Sequence, residues 1–259
     1  MRPLFSIITP TYNGLAGLQR SFATVTAQAP ELYEYIVIDA ASPDGTAAWL
    51  TRQETDSCRW ISEPDTGVYD AMNKGIAQAR GQFLFFLGAG DELVPGILAR
   101  VASWIATLPA NRPRFLYGDV RVLNRADRIL GGRFDRYRLS RENISHQGIF
   151  YERTIFDLLG NYSLKYPVFA DWAFNIRCFA DDRIALHYRA EVFCDFEGNG
   201  LSDRVADMAF YGDRPALIRE AFGPWISLRF TTRERIVRWR GRLGRAAQKL
   251  GWAPKSSAS

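Results

Sequence analysis

Residues 5–117 alternate short apolar runs with amphipathic stretches, and this alternation constrains the fold more than any other feature of the chain. Phe5-Ser6-Ile7-Ile8-Thr9, closed by Pro10, reads as a strand, and Tyr35-Ile36-Val37-Ile38-Asp39 reads as a second. Arg59 to Ser62 gives a weaker third strand, Gln82 to Leu87 a strongly apolar fourth, and Phe115 to Tyr117 starts a fifth. Between them, Leu15, Leu18, Phe22 and Val25 recur at helical spacing. Ser42-Pro43 reads as an N-cap followed by proline at the first helical position, opening a helix through Leu50. Thr66 to Ala79 is a helix with Asp70 and Lys74 as an i,i+4 pair, and Pro95 to Thr107 is another. Such alternation implies parallel strands with right-handed crossovers, and ligands of such sheets bind beyond the carboxyl ends of the strands. Thr11-Tyr12-Asn13, Asp39, Glu63-Pro64-Asp65 and Gly88-Ala89-Gly90-Asp91 each follow a strand.

From Val120 the pattern changes. Val120 to Val122 and Ile129 to Phe134 suggest a hairpin around Asn124–Arg128, and an arginine-rich polar stretch runs on to Ser145. Arg153–Leu159 and Phe169–Phe179 read as helices, and Ala185–Phe196 as one or two strands. The chain has 259 residues, 47% hydrophobic and 24% charged, which is a globular composition with ample core. Three cysteines without a C-x-x-C pair argue against a disulfide scaffold and a structural zinc, and fit a reducing cytosol. No apolar run is long enough to cross a membrane, and the N-terminus lacks a signal-peptide profile.

The net charge of +5 is concentrated at one end. Residues 225–259 hold nine Lys/Arg against the single acid Glu234, a net +8, whereas the other 224 residues hold 24 basic and 27 acidic groups, a net −3. The body therefore carries no nucleic-acid footprint. In the basic segment Ile236, Trp239, Leu243, Ala247 and Leu250 form one apolar helical stripe with arginines on the other faces. Such a helix suits an anionic membrane surface, or else docks on the acidic body. Pro254 onward is a short disordered tail.

Several of these residues can carry chemistry. Thr11, Tyr12 and Asn13 offer a hydroxyl, an aromatic face and an amide to a nucleotide, and Asp39 an acceptor for a base or ribose; turn and cap roles are the alternative. Asp91, after an apolar strand, is placed to bind a divalent cation bridging a diphosphate, or to cap the turn before Pro95. His187, in a Leu-His-Tyr strand pattern, is either a metal ligand or structural.

Taken in order, these segments resemble the family 2 glycosyltransferases of the GT-A fold. The matching blocks are Phe5 to Asn13, Ile36 to Thr46, Ser62 to Gly75, Leu87 to Asp91, Ser145 to Arg153 and Ala170-Asp171-Trp172, together spanning residues 4–200. The resemblance implies a nucleotide-sugar-dependent transferase, inverting and using Mg²⁺ or Mn²⁺. It implies an α/β Rossmann-like fold: a mostly parallel sheet flanked by helices, an acceptor-side extension and a basic C-terminal helix. Residues 1–120 would form the nucleotide-sugar half, 121–224 the acceptor half and 225–259 the basic segment.

By resemblance, Pro10, Thr11, Tyr12, Asn13, Asp39 and Asp65 match nucleoside-binding positions, and Asp70, Lys74 and Gly90 join them on the donor side. Asp91 matches the last acid of the family's Asp-x-Asp metal motif, whose first acid is here Gly88 or Ala89. Asp171 matches the general base, which accepts the proton of the acceptor hydroxyl as the glycosidic bond forms; a helix cap is its bland alternative. His146, Gln147 and Trp172 would line the acceptor site. Glu197 to Ser202 is similar to the family's glycine-rich loop near the donor diphosphate, or is a plain hairpin turn.

The chain lacks the many membrane helices and the Gln-x-x-Arg-Trp motif of processive members. The reading is therefore a hexosyltransferase that adds a single sugar, from a UDP-sugar, to a lipid-linked or glycan acceptor. Its place would be envelope-polysaccharide assembly at the inner face of the cytoplasmic membrane. A catalytically silent nucleotide-sugar-binding module and a sugar nucleotidyltransferase are the alternatives; the second needs a basic phosphate loop that Thr9–Gly17 lacks.

Overall fold

Strand β1 (Phe5–Thr11) runs between β2 (Tyr33–Asp39) and β4 (Phe83–Phe86), parallel to both, and β3 (Cys58–Ser62) extends the parallel set beyond β2. This is a computed structural model, and it describes residues 2–123, 128–198 and 205–249, with side chains through residue 236. The helices α1 (Leu15–Thr26), α2 (Thr46–Thr51), α3 (Val68–Gln78) and α4 (Ile97–Ala106) alternate with these strands, as the periodicity predicts.

Beyond β4 the sheet becomes mixed. The remaining elements are β5 (Glu92–Leu93), β6 (Arg114–Val122), β7 (Arg128–Leu130), α5 (Arg136–Leu139), β8 (Ile149–Glu152), α6 (Thr154–Leu159), α7 (Ala170–Ala180), β9 (Ala185–Phe196) and α8 (Met208–Lys249). The strand order is β3-β2-β1-β4-β8-β6-β9-β5, with β7 paired to β6. β8 lies antiparallel to β4 and to β6, while β9 is parallel to β6. The carboxyl ends of β1 to β4 and the amino end of β8 therefore share one edge of the sheet. The expected hairpin is the β6–β7 pair, whose turn at 124–127 lies outside the described residues. Ala185–Phe196 forms one continuous strand, with register irregularities opposite Tyr117 to Val120.

Three local expectations need correction. Pro10 does not end its strand: β1 continues to Thr11. The Thr11 carbonyl accepts from Ala40, on the β2 side, so the nitrogen of Pro10 points the other way, past the last β1–β4 pair at Ile8 and Phe86. Its missing N–H forfeits no ladder bond. Ser42-Pro43 does not open a helix, because α2 begins at Thr46, where the Asp44 carboxylate accepts from the Thr46 amide at 3.1 Å. The Ser42 hydroxyl accepts instead from the Asn13 amide at 2.9 Å and ties two strand ends together. Asp70 and Lys74 do not pair: Lys74 Nζ reaches Glu63 at 2.9 Å and the Pro64 carbonyl at 2.8 Å, while Asp70 accepts from the Thr66 amide at 2.9 Å.

Side chains alternate across the pleat, and both faces of the sheet are buried. Phe5, Ile7, Tyr35, Val37, Phe83 and Phe85 pack with α1 and α4, while Ile8, Ile36, Ile38, Leu84 and Phe86 pack with α3, α7 and α8. Phe210, Ile218, Phe222 and Phe230 fix α8 to the second face. That helix breaks at Gly223, whose φ of +78° and ψ of 178° lie outside helical space and fall to a residue without a Cβ. Pro224, which cannot donate to the preceding turn, starts the second helical segment.

Candidate active site

The shared edge gathers the loops after β1, β2, β3 and β4 with the residues before β8. Asn13 and Ala41 both hold positive φ, +49° and +54°, a conformation that costs energy in non-glycine residues and gathers at functional loops. Tyr12 is 64% exposed beside them, whereas Thr11 is buried and its hydroxyl has no hydrogen-bond partner. Buried hydroxyls are mostly paired in folded proteins, so this one stands free to bond a polar group that enters beside it.

Asp39 is fully buried. Its Oδ2 accepts from Ser62 Oγ at 2.6 Å and from the Ser42 amide at 3.1 Å. The carboxylate thus holds the ends of β2 and β3 together. Asp65 accepts from the Gly67 amide at 2.9 Å and shapes the turn into α3. The Gly90 amide, at φ +108°, donates to Ser21 Oγ at 2.8 Å, and that hydroxyl donates to the Gly88 carbonyl at 3.1 Å. One serine on α1 therefore sets the shape of the Gly88–Asp91 loop.

Asp91 stands at the end of this loop, and its Oδ2 accepts from Gln147 Nε2 at 2.9 Å. Burial pushes its carboxyl above the usual carboxylate range, although the Gln147 amide, the nearby His146 and the Gly88 backbone act the other way. A Cβ at position 88 would come 2.4 Å from Asp91 Oδ2, so the carboxylate occupies the space of a side chain at that position. Among the described residues no three His, Cys, Asp or Glu side chains gather as a metal cage. The Gly88–Asp91 loop offers one carboxylate, that of Asp91. That fits a Mg²⁺ or Mn²⁺ ion whose other ligands are diphosphate oxygens and water, and does not fit a preformed all-protein site. His187 does not join it: it lies on β9, where its backbone pairs with Leu116 of β6, and burial with the charges of Arg114 and Arg112 pushes its pKa down.

Asp171 is the second residue of α7, is 5% exposed, and is not the helix cap; Phe169 holds that position without a capping side chain. Its Oδ1 accepts from Tyr69 Oη at 2.7 Å and from the Trp172 amide at 2.8 Å, and its Oδ2 accepts from Asn143 Nδ2 at 2.9 Å. Burial and the adjacent carboxylate hold the Tyr69 phenol well above its usual range, so this hydroxyl stays a donor. Asn143 is oriented in turn: its Oδ1 accepts from Asn175 Nδ2 at 2.9 Å, and Asn175 Oδ1 accepts from Tyr151 Oη at 2.8 Å. A carboxylate has about four lone-pair sites, so these three donors leave room on Oδ2, where His146 Nδ1 stands 3.5 Å away.

His146 and Gln147 thus bridge the two acids, one beside Asp171 and the next bonded to Asp91. Trp172 does not share that position. It is buried, its Nε1 donates to the Leu139 carbonyl at 2.7 Å, and its ring packs on Phe210 and Arg214, so it supports α7 from the core side. Tyr69, Asn143 and Asn175 are further members of the site that no motif of the sequence singles out. Tyr69 lies inside a block that carries the resemblance, and Asn143 sits three residues before His146, the one positional signal that could have found it. Of the glycine-rich stretch only Glu197 and Gly198 are described, and Glu197 pairs with Arg20; residues 199–204 lie outside the described residues.

The family model for glycosyl transferase family 2 matches residues 6–168. The chain belongs to that family. A PGL/p-HBAD biosynthesis glycosyltransferase of Mycobacterium bovis is 36% identical over 256 residues, covering 93% of this chain and 98% of the relative. An uncharacterized glycosyltransferase of Mycobacterium tuberculosis is 31% identical, covering 82% and 81%. Among solved structures, Staphylococcus aureus TarS in complex with UDP-GlcNAc has a TM-score of 0.65 at 18% identity, covering 84% of this chain and 66% of that one. The mannosyltransferase PcManGT of Pyrobaculum calidifontis, in complex with GDP-Man and Mn²⁺, has a TM-score of 0.60 at 17% identity, covering 90% and 74%. These neighbours share the GT-A fold. This family 2 chain is a glycosyltransferase of that fold, and no helix among its described residues is long and apolar enough to cross a membrane.

Proposed function

We propose that the enzyme transfers one hexose, with inversion, from a nucleotide-diphosphate sugar to a hydroxyl of a lipid-linked or glycan acceptor. The observation that carries this reading is the placement of Asp91 and Asp171 on either side of His146-Gln147. A direct displacement at an anomeric carbon calls for a base on the incoming hydroxyl and positive charge on the leaving diphosphate, and the two carboxylates suit taking the proton and holding a cation.

The acceptor hydroxyl enters at Asp171 Oδ2, beside His146. As its oxygen bonds to the anomeric carbon, Asp171 takes the proton, the bond from that carbon to the diphosphate breaks, and the nucleoside diphosphate leaves with the electron pair. Asp91 would hold a Mg²⁺ or Mn²⁺ ion, which when bound neutralises charge on the leaving diphosphate. Pro10 to Asn13, Asp39 and Asp65 face the nucleoside, with Asp70, Lys74 and Gly90 shaping the donor side. The TarS complexes with UDP and UDP-GlcNAc support a UDP-sugar, and the PcManGT complex with GDP-Man and Mn²⁺ supports the divalent ion. Acceptors of PGL/p-HBAD biosynthesis are the first to try, given the relative named for it.

The reading is tested by a thermal-shift screen of UDP-, GDP- and dTDP-sugars with and without Mn²⁺. A donor at a hundred times its Kd stabilises by about 2.7 kcal/mol, and a metal-enhanced shift with one nucleotide class is expected. No shift with any nucleotide sugar would overturn it. Turnover of the bound donor separates a transferase from a silent binding module.

A further inference from the structure

The second segment of α8 presents two different stripes. Phe222, just before the break at Gly223, and Ile226 and Phe230, at i and i+4 within the second segment, pack against the core, and Arg214 stacks on Phe230 at 4.8 Å and on Trp172 at 5.2 Å. The segment is therefore fixed to α7, the helix that carries Asp171. Trp225, Leu228 and Ile236 fall on another face by helical spacing and are 79%, 58% and 46% exposed. In sequence the same spacing continues through Trp239 and Leu243. Arg229, Arg233 and Arg235 are exposed along the described part of this segment. Among the described residues an inner stripe docks on the body and an outer one is exposed; of the apolar stripe read from the sequence, the side chains of Trp239, Leu243, Ala247 and Leu250 lie outside the described residues.

We propose that the outer stripe of α8 is a docking surface for an anionic lipid bilayer, with Trp225, Leu228 and Ile236 inserted at the headgroup boundary and the flanking arginines on the phosphates. Charge argues for this occupant. The segment 225–259 carries +8 and the remainder of the chain −3, so attraction to an anionic sheet is concentrated on this end of the chain. A narrow apolar stripe with tryptophan, flanked by arginines on a helix too charged to span, is the pattern of an interfacial helix lying in the membrane plane. Because Phe230 and Trp172 share Arg214, lipid contact would hold the acceptor half of the enzyme at the surface where a lipid-linked substrate resides. The docking surface itself does not depend on the identity of the transferred sugar.

The experiment is co-sedimentation of the full chain with vesicles of phosphatidylcholine alone and of equimolar phosphatidylcholine and phosphatidylglycerol. Point variants are preferable to truncation, because deleting the segment also removes Phe230 from the core. Binding at least about tenfold stronger to the anionic vesicles is expected, weakening as salt rises. Trp225→Glu/Leu228→Glu should lower it at least about tenfold without lowering Tm, since both side chains are exposed. Leu164→Glu, at a position 56% exposed elsewhere, should leave it unchanged. Equal binding to both vesicle types, or undiminished binding of the double variant, would overturn the proposal. So would a concentration-dependent dimer that the double variant abolishes while vesicles bind neither protein, which would give the stripe to a second copy of the chain.

Discussion

Asn143 and Asp171 lie 28 residues apart, and the 2.9 Å bond between them runs one way: the amide donates and the carboxylate accepts. Asn143 has no freedom to reverse, because its Oδ1 already accepts from Asn175, which accepts from Tyr151. With Tyr69 on the other oxygen, every side-chain partner within hydrogen-bond distance offers Asp171 a proton donor. The core thus shapes an anion acceptor before any substrate arrives.

Removing these donors one at a time should slow the reaction without loosening the donor. A hydrogen bond to a charged group is worth about 1.5–3 kcal/mol, or about 10- to 100-fold in rate if spent on the reacting geometry. Tyr69→Phe and Asn143→Ala should each lower kcat by that range at unchanged nucleotide-sugar Kd. Asn143→Ala should also lower Tm, because it strands Asn175. A kcat within twofold of the parent for both variants would remove them from the positioning of Asp171.

Asp171→Asn should lower kcat by about 10²–10⁴, the usual size of a lost acid–base contribution, with donor Kd nearly constant. Asn places an NH₂ group against either the Trp172 amide or Asn143 Nδ2, donor against donor, so Tm should fall too. Near-normal turnover would sink the base assignment, and a large loss of donor affinity would move the residue to the donor side.

For Asp91 the signs of stability and activity oppose each other. Its folded pKa is raised, so between the unfolded and folded values the native state holds the extra proton and stability falls as pH rises. Above that window the ionised carboxylate burdens the fold until a cation arrives. Asp91→Asn should abolish metal-stimulated turnover yet melt higher than the parent at neutral pH without metal, the difference shrinking in acid. Melting curves from acid to neutral pH, with and without Mn²⁺, check both halves; full metal stimulation in the variant would discard the ligand assignment.

Glu34 supplies a control far from the chemistry, near the amino end of β2. It is buried and accepts from Ser6 Oγ, the Arg80 and Gly81 amides and Arg59. Burial works against its charge, but these donors outweigh it and hold the carboxyl below its usual range. The stability it contributes is full above the unfolded pKa and is lost as pH falls through the lowered folded value. Glu34→Gln should cost about 2–3 kcal/mol at neutral pH, flatten the acid limb of the stability curve and leave kcat unchanged. Parallel acid limbs in denaturant titrations of parent and variant would refute it.

The N-terminal half of the fold was legible because its strands are buried on both faces and read as unbroken apolar runs: Phe83 to Phe86 could hardly be anything else. The errors there came from side chains with two possible employers. Ser42 could cap a helix or tie the Asn13 loop, and Lys74 could meet Asp70 or Glu63; in each case the tertiary neighbour won. The acids of the site were legible as positions. Their partners were not, since Tyr69, Asn143 and Asn175 reach Asp171 through strand order and helix packing, which no local spacing encodes.

Gly88 carries a consequence for how such loops are judged and rebuilt. Placing an acid there, as Gly88→Asp, would bring a Cβ to 2.4 Å from Asp91 Oδ2, so Asp91 would have to move. The graft would trade a contact for a ligand rather than add one. Counting acids in this loop would score the chain as degenerate, although the small residue is what gives its one acid the space to reach Gln147.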